Sequence, residues 1–198
     1  MKSSVTTKQG DSGMTRTLAS ETVAKTHPVI ECTGHVDALR AWTASLRLEI
    51  VEDGPEPNAE VADFLFWLLH VYFLLGATVS DPRNAKPQFH KGAIGEAHLA
   101  RLEAMQEKLE SQVELPQAFI VSATNRVAAQ ADLTATETRA LERSLVKLAE
   151  TIPEFDSRPC LAFINRLSDF FYVLARYLEQ GKHLPVDYKT LDTQGAQE

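Results

Sequence analysis

The sequence predicts an all-α protein, a five-helix antiparallel bundle, and three observations carry that expectation. Five stretches repeat apolar residues at steps of three and four, the spacing that lines one face of a helix. Segments bearing Pro or Gly separate them, where a helix cannot easily continue. No stretch alternates apolar and polar residues as a half-buried strand would, and no repeat of roughly 20–50 residues recurs.

Residues 1–20 are polar and rich in Thr and Ser, with Gly10 and Gly13 flanking Asp11 and Ser12. Composition alone reads as a tail without structure. The sharper reading is a phosphate-cradling loop, because glycines let backbone N–H groups approach an anion while Thr hydroxyls and Lys8 add donors. It is not a nucleotide P-loop, since no Gly-Lys-Ser/Thr follows at the required spacing. The first helix is expected over about His35–Val51, with Val36, Leu39, Thr43, Leu46 and Ile50 buried and Gly34 before it; Pro55 and Pro57 end it. The second, about Glu60–Val79, is apolar nearly all round and is expected at the bundle's centre, with His70 a satisfied core or interface histidine. Its oiliest run, Phe64–Ser80, sits at the lower edge of membrane-spanning length, and a bundle helix is the favoured reading.

Asp81–Gly92 reads as a surface loop. The third helix, about Ala93–Val113, buries Leu102, Met105, Leu109 and Val113, and Pro116 marks its end. The fourth, about Asn125–Glu150, turns Leu141, Leu145 and Leu148 inward and places Arg139, Glu142 and Arg143 on one face, where a surface ion-pair ladder is the plain reading. The fifth, Leu161–Leu178, has Gly181 as its cap and holds a compact polar cluster of Asn165, Arg166, Ser168 and Asp169. Such a cluster is either a satisfied structural network or a ligand-facing edge. Beyond His183 the chain is an aperiodic polar tail.

The 198 residues suit one domain: a polar leader at 1–30, the bundle at 33–181 and a tail at 182–198. A net charge of −7 without any basic block argues against nucleic acid as a partner, which needs clustered Lys and Arg. A small anionic ligand needs only a local positive site. Two distant cysteines, Cys32 and Cys160, give no zinc pattern and suggest a reducing cytoplasm, with one bridge between them left open. The N-terminus has no apolar signal core, so neither secretion nor a membrane partner is expected.

Three segments in order then carry a family resemblance. The first is Thr7 through Thr15 (TKQGDSGMT) with Lys25 and Glu31–Leu39 (ECTGHVDAL); the second is His70–Ala77; the third joins Arg139–Glu150 (RALERSLVKLAE) to Asn165–Arg176 (NRLSDFFYVLAR). Together, over roughly residues 5–178, they resemble the PduO-type ATP:cob(I)alamin adenosyltransferases. The resemblance implies a five-helix bundle assembled as a homotrimer, with ATP at subunit interfaces, Mg²⁺ present and cobalamin as the second substrate. It assigns phosphate binding to Thr7, Lys8, Gly10, Asp11, Ser12, Gly13, Met14, Thr15 and Lys25. Arg139 would carry charge toward the leaving group, and Glu142 and Asn165 would fix sugar, phosphate or metal. Asp37 would stand near the corrin side and Phe119 beside the corrinoid's lower face. The chain departs from the family pattern at Ser122, Ala123 and Thr124, where Pro-Gly-Gly is usual, and at Asp132, where His is usual. Ala135 and Ala140 stand in place of arginines, and Ala38 and Arg40 in place of Glu and Asn. Arg40, one turn from Asp37, is expected to take over its pairing. These changes leave a second reading open, a weakened or non-catalytic relative that binds ATP or corrinoid as a sensor or carrier.

Overall fold

The computed structural model describes residue 6, residues 8–53 and residues 58–191. Five helices follow one another: α1 (Pro28–Asp53), α2 (Ala59–Ser80), α3 (Glu96–Glu110), α4 (Arg126–Thr151) and α5 (Arg158–Leu178). Helix α4 packs on α1 and α5, α2 packs on α1, and α3 packs on α5. Ion pairs Glu31–Lys147 (2.8 Å) and Glu49–Arg126 (2.7 Å) join opposite ends of α1 and α4, so these two run antiparallel. The expected loop prolines Pro55 and Pro57 and the last residues of the tail lie outside the described residues.

The apolar stripes meet where their spacing sends them. Val36, Leu39, Thr43, Leu46 and Ile50 of α1 are buried against Leu141, Leu145 and Leu148 of α4 and Ile164, Leu167, Phe171 and Leu174 of α5 in one core. Helix α1 starts at Pro28, two turns before the expected His35. Proline suits a first turn, where its missing N–H has no partner to lose. The ring Nδ1 of His27 accepts from Val29 N–H at 3.2 Å and serves as the cap. Gly34, read as a start signal, is instead an exposed interior position with open space around it.

Helix α2 corrects the expectation of a central helix. One side is buried, but Phe66, His70 and Phe73 face outward, Phe73 with 63% of its surface exposed. Arginine explains how those rings are tolerated: the guanidinium groups of Arg47 and Arg40 lie 4.9 Å from the Phe66 and Phe73 ring centres. His70 is therefore no core histidine; its Nδ1 meets the Phe66 carbonyl oxygen at 2.8 Å on the surface. By length and composition α2 alone among the described helices could cross a membrane, and here it packs against α1.

Two small ladders correct the expectation of a strandless chain. β1 (Met14–Arg16) pairs antiparallel with β2 (Thr22–Ala24), and β3 (Ile120–Val121) with β4 (Leu184–Pro185). Ladders of two or three residues are too short to print a period-two pattern on a sequence. The second one draws the chain after α5 back onto the segment between α3 and α4. The loop after α2 is also more than surface: Asp81 is buried and accepts from Ala85 N (2.8 Å) and Lys86 N (2.7 Å), with His90 Nε2 at 3.1 Å.

Candidate functional site

The glycine-bearing leader is folded by its own backbone. Asp11 N–H donates to Lys8 O (3.4 Å) and Gly13 N–H to Gly10 O (3.2 Å), two successive turns that lead into β1. Lys8 (φ 59°) and Gly13 (φ 78°) hold left-handed conformations, which glycine adopts at no steric cost. Lys25 N–H donates to Gly13 O at 2.9 Å, so the β1–β2 hairpin swings the Lys25 side chain across the turn. A methyl at Gly10 would lie 3.0 Å from both Cε and Nζ of Lys25. The absence of a side chain at Gly10 is what leaves room for that ammonium. Asp11, Ser12, Gly13 and Met14 are exposed and Thr15 is half-buried opposite Val23; Thr7 lies outside the described residues. Lys8 and Lys25 have no acidic partner among the described residues.

A second group sits on α4 and α5. Asn165 Nδ2 donates to Glu142 Oε1 at 3.1 Å, linking the helices across their exposed edge. The polar cluster of α5 divides: Arg166 turns to Glu103 of α3 (3.2 Å) and to Asp169 (3.2 Å), whereas Asn165 turns to α4. The ladder expected on α4 does not form. Glu142 bonds Asn165, and Arg139 is left exposed with no acid among the described residues.

A third group lines a groove of about 640 Å³ between the leader, α1, α2 and the loop before α3. Asp37 and Arg40 stand on its wall, their charged ends 3.0 Å apart, with Phe73 beneath the guanidinium. The sequence did not single out Arg16 and Lys91, which reach the same groove from the leader and the loop. Isolated basic residues in loops carry no sequence signal of that convergence. Ala135, uncharged, is buried in α4.

Phe119 lies outside the core: 79% of its surface is exposed. Its carbonyl oxygen accepts from Val186 N–H at 2.9 Å, so its backbone is pinned beside β4 while the ring points outward.

A five-helix bundle that presents a glycine-built turn under an ammonium, an unpaired arginine beside an Asn–Glu pair, and an exposed aromatic defines a helical protein with anion-accepting faces. The chain belongs to the cobalamin adenosyltransferase family, whose sequence profile matches residues 5–178. It is similar to the corrinoid adenosyltransferase PduO of Salmonella typhimurium, 30% identical over 179 residues that make up 89% of this chain and 50% of that protein. It is similar to the cobalamin adenosyltransferase of Cupriavidus metallidurans, 31% identical over 180 residues, or 90% of this chain and 89% of that one. Among solved structures it is similar to a variant PduO-type ATP:corrinoid adenosyltransferase from Lactobacillus reuteri complexed with cobalamin and ATP. That likeness has a TM-score of 0.80 at 25% identity and covers 92% of this chain and 96% of that one. The chain spans about half the length of the PduO relatives from Salmonella typhimurium and Citrobacter freundii.

Proposed function

We propose that the chain is an ATP:corrinoid adenosyltransferase, acting in the cytoplasm as a homotrimer, with ATP held between a leader of one copy and the α4–α5 face of another. The cobalt of cob(I)alamin supplies the electron pair that bonds to the 5′ carbon of ATP; the carbon–oxygen bond breaks and triphosphate leaves with its electrons. Because the corrinoid brings the nucleophile, the protein's task is to orient two substrates and to steady charge on the leaving group. Lys8, Lys25 and the N–H groups around Gly10–Gly13 meet the phosphates. Arg139 faces the charge that develops between them, and Asn165 with Glu142 fixes the nucleoside end. Asp37 and Phe119 serve the corrinoid, Phe119 as an apolar wall against its lower face.

The observation that carries this reading is a spacing. In the Lactobacillus reuteri structures, a phenylalanine was replaced in complexes with cobalamin and ATP, and an arginine in a complex with ATP. Those two residues stand 20 positions apart in that chain, as Phe119 and Arg139 do here. Exposure of Arg139, Asn165 and Lys25 on one copy supports a site that a second copy completes. Free, buried Cys32 and Cys160 support a reducing compartment. Among the described residues no three His, Cys, Asp or Glu side chains cluster to cage a metal. That fits Mg²⁺ arriving on the triphosphate, since this ion keeps its waters and binds chiefly through substrate phosphates.

Chemically reduced cobalamin, Mg²⁺ and ATP supplied together should yield the visible spectrum of adenosylcobalamin and one triphosphate per turnover. Uncharged Ala135 favours the second reading, a relative that binds without catalysis. ATP binding without any adenosylcobalamin would select it.

A further inference from the structure

An ionic network joins α4, α5 and the segment that follows Phe119, and the proposed mechanism does not use it. Arg176 of α5 and Glu179 at its C-terminal end are both buried. Their charged ends meet at 2.8 Å, and Arg176 Nη2 donates to Asp132 of α4 at 2.7 Å. The guanidinium lies 5.2 Å from the centre of the Tyr172 ring. Glu179 spends its other oxygen outside the network, accepting from Thr124 N–H at 2.7 Å. The next residue, Asn125, donates to Leu178 O (3.0 Å) while its side-chain oxygen caps α4 at Ala128 N (2.9 Å). The segment that carries Phe119 is thus fixed at one end by Val186 N and at the other by Glu179.

From this we infer that Glu179, paired with the Arg176 that Asp132 anchors, is a positioning residue for Phe119 and sets corrinoid affinity without touching the corrinoid. The inference rests on the corrinoid reading of Phe119 given above. Two features argue for positioning rather than bulk stability. A buried carboxylate is costly unless it is paired and hydrogen-bonded, and the hydrogen bond that Glu179 makes is to a backbone N–H in the Phe119 segment, not to the arginine beside it. An exposed ring can act as a wall only if its backbone does not yield, and this segment has few apolar contacts of its own to hold it.

The test is a double-mutant cycle on the full chain, reading affinity for cob(II)alamin and, separately, for ATP. Glu179→Ala should weaken cob(II)alamin about tenfold, the size of a lost charge-assisted hydrogen bond, and leave ATP affinity unchanged. Glu179→Gln, which keeps an acceptor for Thr124 N–H, should recover part of that loss. In a Phe119→Ala background Glu179→Ala should have no further effect, because the residue through which it acts is gone. Should Glu179→Ala not fold, Asp132→Asn takes its place in the cycle, with the same coupling expected. Additive losses, or equal losses for ATP and corrinoid, would overturn the positioning role. Unchanged corrinoid affinity in Phe119→Ala alone would overturn the reading of Phe119 and this inference with it.

Discussion

The ammonium of Lys25 rests against Gly10, so near that a methyl group there would sit 3.0 Å from its nitrogen. Fifteen residues separate the two in sequence, and the β1–β2 hairpin closes that gap. The contact is with the mobile end of a side chain, so Gly10→Ala moves the ammonium rather than the backbone. Stability should change by less than about 0.5 kcal/mol, as for ordinary surface substitutions, while ATP affinity falls about tenfold. Denaturant unfolding and calorimetric titration check the two halves. A variant that lost stability but bound ATP normally would refute the placement of Lys25.

Arg40 pairs with Asp37 on the wall of the groove. Its pairing with Asp37 is half-exposed, worth about 0.3–0.5 kcal/mol, and its stacking on Phe73 adds about 0.5–1 kcal/mol. Arg40→Ala should therefore cost about 1 kcal/mol of stability and also weaken ligand binding. Thermal unfolding together with titration of ATP and cob(II)alamin reads both. If stability and both affinities stayed as in the parent, Arg40 would have no part in the site.

Asp81 makes the loop after α2 sensitive to acid. Burial pushes its carboxyl up, but N–H donors from Lys86 and Ala85 and the His90 ring together outweigh burial and hold it below the ordinary value. Since the folded value is the lower one, the stabilisation is complete above the unfolded value near about 3.9 and fades as pH drops through the folded value. Protection of the Ala85 and Lys86 amides, taken relative to their intrinsic exchange rates, should be high at neutral pH and fall first in strong acid. Asp81→Asn should cost about 1–3 kcal/mol at neutral pH, because three donors lose a charged acceptor.

The two thiols should be silent in the folded protein. Burial pushes Cys32 up to about 12 and Cys160 up to about 11. The reactive thiolate is then scarce at pH 8. A thiol reagent should label neither residue within minutes in buffer and both in denaturant; prompt labelling in buffer would contradict the burial of both thiols in the core.

Much of the bundle was legible because burial is periodic. Val36, Leu39 and Leu46 announced their face by spacing, and so did Leu141, Leu145 and Leu148. Start signals misled where a residue serves a helix in an unfamiliar way, as with Pro28 and the His27 cap. Hydrophobicity also misled at Phe73, because composition says that a ring is oily but not that an arginine will cover it. The leader's glycines were readable as a motif. The crossing of Lys25 over Gly10, the union of Arg16 and Lys91 in one groove, and the grip of Glu179 on Thr124 depend on chain folding between distant positions. No local pattern records them.

The central claim is that one triphosphate is shared by the leader of one copy and the α4–α5 face of another. Lys25→Ala and Arg139→Ala should each lower turnover by about 10²–10³, the usual cost of removing a preorganised charge. Co-expressed in equal amounts, the two variants should regain about a quarter of parental turnover, because random assortment pairs an intact leader with an intact Arg139 at about one interface in four. Turnover of the mixed trimers no higher than that of either variant alone would show that each site is built within a single copy.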